Sequence, residues 1–564
     1  MFIKKGEIYM KISEGYCKKI IFFNITRVFY ILLVVLFLLS VLIANGAASP
    51  KFLIFHLDAV SSRDFFQYME EGSLPNLKAV FENGNIIHYG LSLFPGGTET
   101  IYPRLKEGWN SSIGESVGWG YYDREKKRVV PGYKTFFYLF SYIPRRAKAS
   151  FIYGIPGLDT FNFLPLLNVP ELLETYGVVE FIWFATDAIG HMMGQKLHKA
   201  SICRFDRYFG KLIKRLDLNE INIILYCDHG MSFGDFTIVN QDKEIKRIVG
   251  SNFQALLYPN LYIKNPELKS KIARDIVRGS EIDFAFYKEN SHRVVGCFSQ
   301  GTVIFEEKEG KYRYLFEGED IFNYYRLGYK GEWLTALDWL ADTREGRFPG
   351  VPPNIFNILK NEKAGDIIIV INPPRIVYTI LHYTANHGGI TNTDLMMPIL
   401  LKGEKLKHLY DREEMWLHNL YSSIPELSFK NLEPERENNH FRFWGSNQTN
   451  NNLNFEISVS PEYRWKFGMQ FQDDIYRSWL EYDIYSSYFM RLWMGAGIKY
   501  QEKNMMPFMQ PRLQMDFGKI QFNCGWQYDQ KGWKENTKQI VYQINDRLAL
   551  EWFVPDGLGL SFSW

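Results

Sequence analysis

Neither cysteine nor net charge is abundant in this 564-residue chain. Five cysteines, at positions 17, 203, 227, 297 and 524, form no CxxC pair and no closely spaced even set, which excludes a disulfide-stapled scaffold. Lys plus Arg total 65 against 63 Asp plus Glu, so the balance supplies no attraction for nucleic acid or a strongly anionic surface. Any preference for a charged ligand has to be local. The length exceeds one ordinary domain and predicts a large core with an accessory module.

One long apolar run is present, and it stands at the start. Lys18, Lys19 and Arg27 precede the apolar stretch Val28 to Ala44, and NGAASP follows. A basic flank, an apolar stretch and small residues at Gly46 and Ala48 make residues 1–48 a signal sequence cleaved after Ala48, with Ala44 and Gly46 framing a second cleavage point. The run is also long enough to stay as an uncleaved anchor, and Met10 offers a second start. Both readings put the rest of the chain outside the cytoplasm, in the periplasm or cell envelope.

From Lys51 short apolar runs alternate with helical stretches, the pattern of βαβ units and a doubly wound, mostly parallel sheet. KFLIFHLD (51–58), VVEFIWFATD (178–187) and INIILYCD (221–228) read as buried strands ending in Asp. Between the last two, Ile202, Phe205, Phe209, Leu212, Ile213 and Leu216 fall on one helical face. GDIIIVIN (365–372) and LMMPILLKG (395–403) read as further strands of that sheet. Over about 240–360 the texture is mixed, with a helix at 266–278 and a hairpin, TVIFEEKEGKYRYLF, turning near Gly310. This reads as a cap inserted into a domain spanning 49–425.

A polar, Asn-rich stretch over 426–451 reads as a linker, and 452–564 as an antiparallel all-β domain. Apolar and polar residues alternate there at Leu453, Phe455, Ile457 and Val459, at Ile520, Phe522, Cys524 and Trp526, and up to Trp564. Strict alternation ending on an aromatic resembles the last strand of an outer-membrane barrel. The strands read as about eight residues, below the nine to eleven usual for spanning, so a soluble β-sandwich and a small β-barrel both fit.

Five segments carry chemistry: HLDAV, FPGGTET, FATDAIGHMMG, LYCDHGM and ANHGG. Singly each is more often a cap or a turn. In order, Asp, Thr, Asp-x-x-x-His, Asp-His-Gly and His-Gly, the set resembles the alkaline phosphatase superfamily, specifically its type I phosphodiesterase/nucleotide pyrophosphatase branch, over about 51–405. That resemblance implies an alkaline-phosphatase-type α/β fold with a cap and two divalent metal ions, zinc foremost. Asp58, Thr98, Asp228 and His229 would hold one ion, and Asp187, His191 and His387 the other. It also implies a phosphoric ester hydrolase acting on a small phosphate ester or a lipid or glycan headgroup, with Thr98 as nucleophile and a phosphothreonine intermediate. Carboxylate and imidazole suit zinc, and a neighbouring divalent cation activates a hydroxyl that is otherwise a poor nucleophile. Gly96 and Gly97 permit a tight turn into a helix, so the Thr98 amide can face a phosphate oxygen. Thr98 sits in the FP-x-x-T register of the family, ahead of Thr100, and the C/S-x-P-x-R setting of sulfatases is missing.

The chain departs from that branch at GESVGWGYYD, where a phosphate-contacting Asn is missing. Asn110, Arg104 and Lys106 stand nearby and read as surface charges or helix solubilisers. His56, His198, His292 and His382 read as packing or surface residues, Arg145 and Arg146 as a solvated turn, and Cys227 as a small buried hydrophobe. Two other functions fit the same segments: a phospho-headgroup transferase, and an outer-membrane protein carrying an inactive passenger domain.

Overall fold

Runs rich in Ile, Leu and Phe are buried on both faces only where helices cover a parallel sheet, and three such runs lie side by side. Lys51–Leu57 pairs in parallel with Val178–Trp183 on one side and with Ile221–Cys227 on the other. The computed structural model describes residues 50–107, 117–118, 120–131, 156–167, 169–379, 383–427 and the strands within 440–563. The signal sequence read over 1–48, Asn110, Arg145, Arg146 and His382 lie outside the described residues.

The six strands run in the order Glu414–Trp416, Asn85–Leu91, Met396–Lys402, Ile221–Cys227, Lys51–Leu57, Val178–Trp183. Met396–Lys402 is antiparallel to both neighbours, and the other pairings are parallel. The class is α/β, as the alternation predicts. Helix Gln195–Ile213 buries Ile202, Phe205, Phe209, Leu212 and Ile213, with Phe205 and Phe209 edge-on to Phe55 at 5.5 and 5.3 Å.

GDIIIVIN does not join this sheet. Ile367–Val370 pairs antiparallel with Phe284–Asn290 and Asn260–Ile263, inside a second, eight-stranded sheet. An apolar run records burial and not its partner, so sequence alone assigned it to the wrong sheet. The cap therefore consists of strands between Phe253 and Thr335 together with Ile367–Val370. Its hairpin joins Gly301–Lys308 to Lys311–Glu317 through Glu309 and Gly310, both at positive φ. Helix Lys269–Gly279 follows a short 3-10 turn at Pro266–Leu268.

The C-terminal part is a closed antiparallel barrel of the ten strands from His440–Gly445 to Gly557–Ser563, the first paired with the last. His440–Gly445 lies inside the stretch expected as linker. Six of the ten strands exceed the expected eight residues, Asn504–Phe517 and Gly532–Asn545 with 14 each, while His440–Gly445, Trp465–Gln472, Leu548–Phe553 and Gly557–Ser563 have 6, 8, 6 and 7. Pro507 and Pro511 interrupt the sequence pattern, yet the ladder to Met490–Gln501 runs past both.

Candidate active site

The carboxyl ends of the parallel strands supply the first donors. Lys51–Leu57 runs into buried Asp58, and Ile221–Cys227 into buried Asp228 and His229. Asp187 sits differently from the sequence reading: its strand stops at Trp183, and Asp187 lies in the first turn of helix Ala185–Met193. Four residues on, His191 shares its face, with Nε2 3.2 Å from Asp187 Oδ1. Thr98 opens helix Thr98–Glu107, and His387 follows the short strand Ala385–Asn386.

These seven residues form one continuous set of contacts. Thr98 Oγ1 lies 3.4 Å from Asp58 Oδ1, and His229 Nε2 lies 3.5 Å from the same oxygen and 3.4 Å from Asp228 Oδ2. The His229 ring stacks on His387 at 3.9 Å, and His387 Nε2 is 3.2 Å from Asp187 Oδ1. Potential donor atoms fall into two groups, Asp187 with His229 and His387, and His56 with Asp58 and Asp228, each within 4.8 Å of one another.

Each histidine ring is oriented from behind by a main-chain carbonyl. Nδ1 of His191, His229 and His387 faces the carbonyl oxygens of Ala385 (2.8 Å), Gly230 (3.0 Å) and Gly96 (2.6 Å). A carbonyl only accepts, so Nδ1 carries the proton and a neutral ring turns the bare lone pair of Nε2 into the pocket. There it meets carboxylate oxygens; Asp187 Oδ1 and Asp228 Oδ2 are buried without a hydrogen-bond partner. Lone pair facing lone pair at 3.2–3.5 Å is repulsive unless a cation lies between them. The residues present thus fit divalent metal, and the cluster is a buried set of acidic and histidine donors able to hold it.

The electrostatics agree. Burial, then the charges of Asp228 and Asp187, push the Asp58 carboxyl well above its usual range. Two like charges at this separation cost roughly 3–4 kcal/mol at the effective dielectric of a protein site. Without a cation His387 carries a proton instead: burial lowers its pKa, but the hydrogen bond and charge of Asp187 raise it to about 9. Burial holds His229 neutral, at about 4.

Sequence reasoning missed three residues here. His56 is more than a packing residue: fully buried and stacked on Tyr226, it sets Nε2 3.2 Å from Asp228 Oδ1. Strand period places residues 56 and 58 on one face, and that signal was present. Glu99 is buried beside Thr98, its carboxyl raised to about 7 by burial; its oxygens stand where a Cβ on Gly97 would approach to 2.8 Å. Asp394 accepts from Gly389 N (2.8 Å) and Ser232 Oγ (2.6 Å) while its own carbonyl accepts from Gly230 N (2.8 Å), tying the His387 and His229 loops together.

Arg104 corrects another expectation. Far from a surface charge, it is buried and donates to the Phe94 carbonyl at 3.3 Å, bracing the turn ahead of Thr98. Asn354 braces the same turn, accepting from Phe94 N at 2.6 Å and donating to the Ser92 carbonyl at 3.1 Å. His198 packs as expected, with Nε2 at 3.0 Å from the Ala59 carbonyl, and burial pushes the Cys227 thiol up.

Residues 97–379, half of the chain, match the family model of type I phosphodiesterase/nucleotide pyrophosphatase. The chain belongs to this family. As a type I phosphodiesterase/nucleotide pyrophosphatase relative it is a phosphoester hydrolase of the alkaline phosphatase superfamily. Asp58 and His387 lie outside the matched segment, and the fold brings them to it. No curated protein matches the chain. Among solved structures, murine ectonucleotide pyrophosphatase/phosphodiesterase 5 is 16% identical, with a TM-score of 0.43 over 67% of this chain and 95% of that one. Its human counterpart is 14% identical, with a TM-score of 0.43 over 68% and 96%. Wild-type alkaline phosphatase PafA is 12% identical, with a TM-score of 0.41 over 68% and 96%.

Proposed function

We propose that this phosphodiesterase-family hydrolase uses Thr98 as its nucleophile at a site for two divalent ions. The observation that carries this reading is the position of Thr98 Oγ1, at a helix start and 3.4 Å from Asp58 Oδ1, beside the paired carboxylates and imidazoles. Asp58, Thr98, Asp228 and His229, and Asp187, His191 and His387, are the ligand sets, with His56 bearing on Asp228. Three imidazoles with Nε2 exposed and three carboxylates favour zinc over harder ions that prefer all-oxygen sites. Divalent ions held there supply positive charge for the entering and departing oxygens of an in-line displacement.

This chain's own residues do the rest. The turn Gly96–Gly97 delivers Thr98 to the head of a helix, where the Thr98 amide precedes the first hydrogen bonds, those of Thr100 N and Ile101 N to the Gly97 carbonyl, and so can face a phosphoryl oxygen. Thr98 Oγ forms a bond to phosphorus as the bond to the departing alcohol breaks, leaving a phosphothreonine. Water then attacks that phosphorus, releasing phosphate or a phosphomonoester and restoring the hydroxyl. Substrates are phosphate esters of small molecules, nucleotides, or lipid or glycan headgroups, met outside the cytoplasm.

Metal content and hydrolysis of p-nitrophenyl phosphate against bis-p-nitrophenyl phosphate test this directly, with acid-quenched digests searched for a phosphoryl group on the Thr98 peptide. A metal-loaded protein inactive on both esters would end the reading. Export is tested separately, by sequencing the mature N-terminus from the envelope fraction: a start at Ser49 supports it, and an intact cytoplasmic chain does not.

A further inference from the structure

Soluble barrels bury apolar side chains inside and show polar ones outside; this barrel turns an apolar face outward and buries a mixed one, with Trp479, Trp493 and Phe508 among polar groups. On its outer face Leu480, Met494, Ile498, Met509, Leu550 and Leu558 are all exposed, Ile498 at 51% and Leu558 at 63%. On the inner face Lys466, Glu481, Gln510, Asn523, Gln539 and Glu551 are buried. Several inner groups pair with one another: Arg512 Nη2 and Gln510 Nε2 donate to Glu481 at 2.8 and 3.0 Å, Asn523 donates to Gln539 at 3.0 Å, and Gln539 donates to Glu551. More than half of the exposed large apolar side chains among the described residues belong to these strands. A soluble monomer rarely shows apolar patches beyond a few hundred Å².

Three further observations identify what covers this surface. First, the barrel is closed, Phe443 pairing with both Phe455 and Leu560, so no strand edge is free to dock a peptide. Second, strands Ile475–Ser486 and Met490–Gln501 have 12 residues each; at about 3.4 Å per residue and a tilt of about 40° they stand about 30 Å tall, the thickness of a bilayer's hydrocarbon core. Third, aromatic rings gather at one end. Tyr476, Tyr500, Tyr528, Trp533 and Trp552 each lie one residue in from a strand end at the same mouth of the barrel, all exposed. Tyr476 meets Tyr500 at 6.2 Å and Tyr528 meets Trp533 at 5.2 Å. Aromatic rings at the rim of an apolar band are the arrangement that sits at headgroup level.

We propose that the barrel of residues 440–563 spans a lipid bilayer and tethers the phosphoesterase to it. The bilayer is the occupant because exposed apolar side chains stand on nine consecutive strands of the closed cylinder, from Leu453–Glu462 to Gly557–Ser563; a protein partner needs a patch, not a belt. The proposal does not depend on the catalytic reading, since it uses no residue of the active site.

The test uses the full chain, refolded from detergent into phosphatidylcholine vesicles and floated through a density gradient. Wild type floats, stays with the vesicles through an alkaline carbonate wash, and loses Trp fluorescence when the lipid is brominated. Leu480 pairs with Ala496 at mid-height, so Leu480→Arg puts a charge at the bilayer centre and lowers vesicle-bound protein at least about tenfold. Tyr476→Arg, at the rim, changes it about twofold or less. Thr98→Ala floats like wild type, which separates this result from failure of the catalytic reading. Hydrolysis of p-nitrophenyl esters by Leu480→Arg and Tyr476→Arg reports that their α/β domain has folded, and bound metal reports it for Thr98→Ala. Wild type that remains soluble and monodisperse without detergent, that is stripped by carbonate, or that is recovered in a stoichiometric protein complex in place of lipid would overturn the proposal, as would Leu480→Arg floating undiminished.

Discussion

His387 donates a hydrogen bond from Nδ1 to the carbonyl oxygen of Gly96 at 2.6 Å, across 291 residues of sequence. One hydrogen bond thus couples a ring 3.2 Å from Asp187 Oδ1 to the turn that presents Thr98, and the His387 loop and Thr98 keep one geometry. Replacing His387 by Ala removes a donor and frees that turn. We expect His387→Ala to lose at least half of the bound metal and to lower kcat by about 100-fold or more, read by elemental analysis and bis-p-nitrophenyl phosphate hydrolysis. Unchanged metal and turnover would remove His387 from the site.

Thr98 and Thr100 compete for the nucleophile's role, and their surroundings separate them. Thr100 is fully buried beside Glu99, whereas Thr98 faces Asp58. Thr98→Ala should lower kcat by roughly 1,000-fold or more while leaving metal content intact, and Thr100→Ala should stay within about tenfold of wild type. Steady-state kinetics of both variants decide the matter, and a reversed order would reassign the nucleophile.

Asp394 joins the loops that carry His229 and His387. As a positioning residue its loss should appear first in metal affinity. Asp394→Asn is expected to weaken zinc binding about 10- to 100-fold, measured by competition with a chelating dye, with activity recovering at saturating zinc. A variant whose activity stays low at any zinc concentration would assign Asp394 a different role.

Acid sensitivity has one separable source. Burial, and then the charge of Arg104, push His418 down to about 3. An unfolded chain protonates this histidine near pH 6.5, and the folded one does not until about pH 3. Between those values the unfolded state binds more protons, so this stability is intact above about pH 6.5 and is lost as pH falls. His418→Phe removes the effect. Relative to wild type the variant should gain about 3 kcal/mol between pH 7 and pH 4, read from urea unfolding at each pH. A difference independent of pH would show that His418 does not contribute.

Gly230 has no room for a methyl group: a Cβ there would stand 2.0 Å from the Thr393 carbonyl oxygen. Backbone on both sides must move, and His229 with it. Gly230→Ala is expected to destabilise by about 2 kcal/mol or more and to depress turnover disproportionately. A Tm within a degree or so of wild type would mean that the loop yields easily.

Local chemistry made much of this legible without coordinates. Helix period marked the buried face of Gln195–Ile213, and the order of five motifs carried the α/β fold and the family. Asp58, Asp228 and His229 follow strands whose apolar runs already announced burial. His56 was legible too, by its two-residue spacing from Asp58, but a histidine in a strand looks like packing until its partner is known. Asp394 left no signal, since an Asp near a helix start is an ordinary cap.

What the sequence determined by itself is each residue's neighbourhood along the chain: apolar run or loop, helix face or strand face, and the kinds of atom on offer at each motif. These follow from periodicity and side-chain chemistry. Partner and direction belong to the tertiary structure alone. It sent Ile367–Val370 to the cap sheet, closed ten strands on His440–Gly445, and turned the barrel's apolar side outward. The physical reason is that alternation has the same period whichever face looks in. Only the closing of the sheet decides which side meets solvent or lipid and which side must pair its own polar groups.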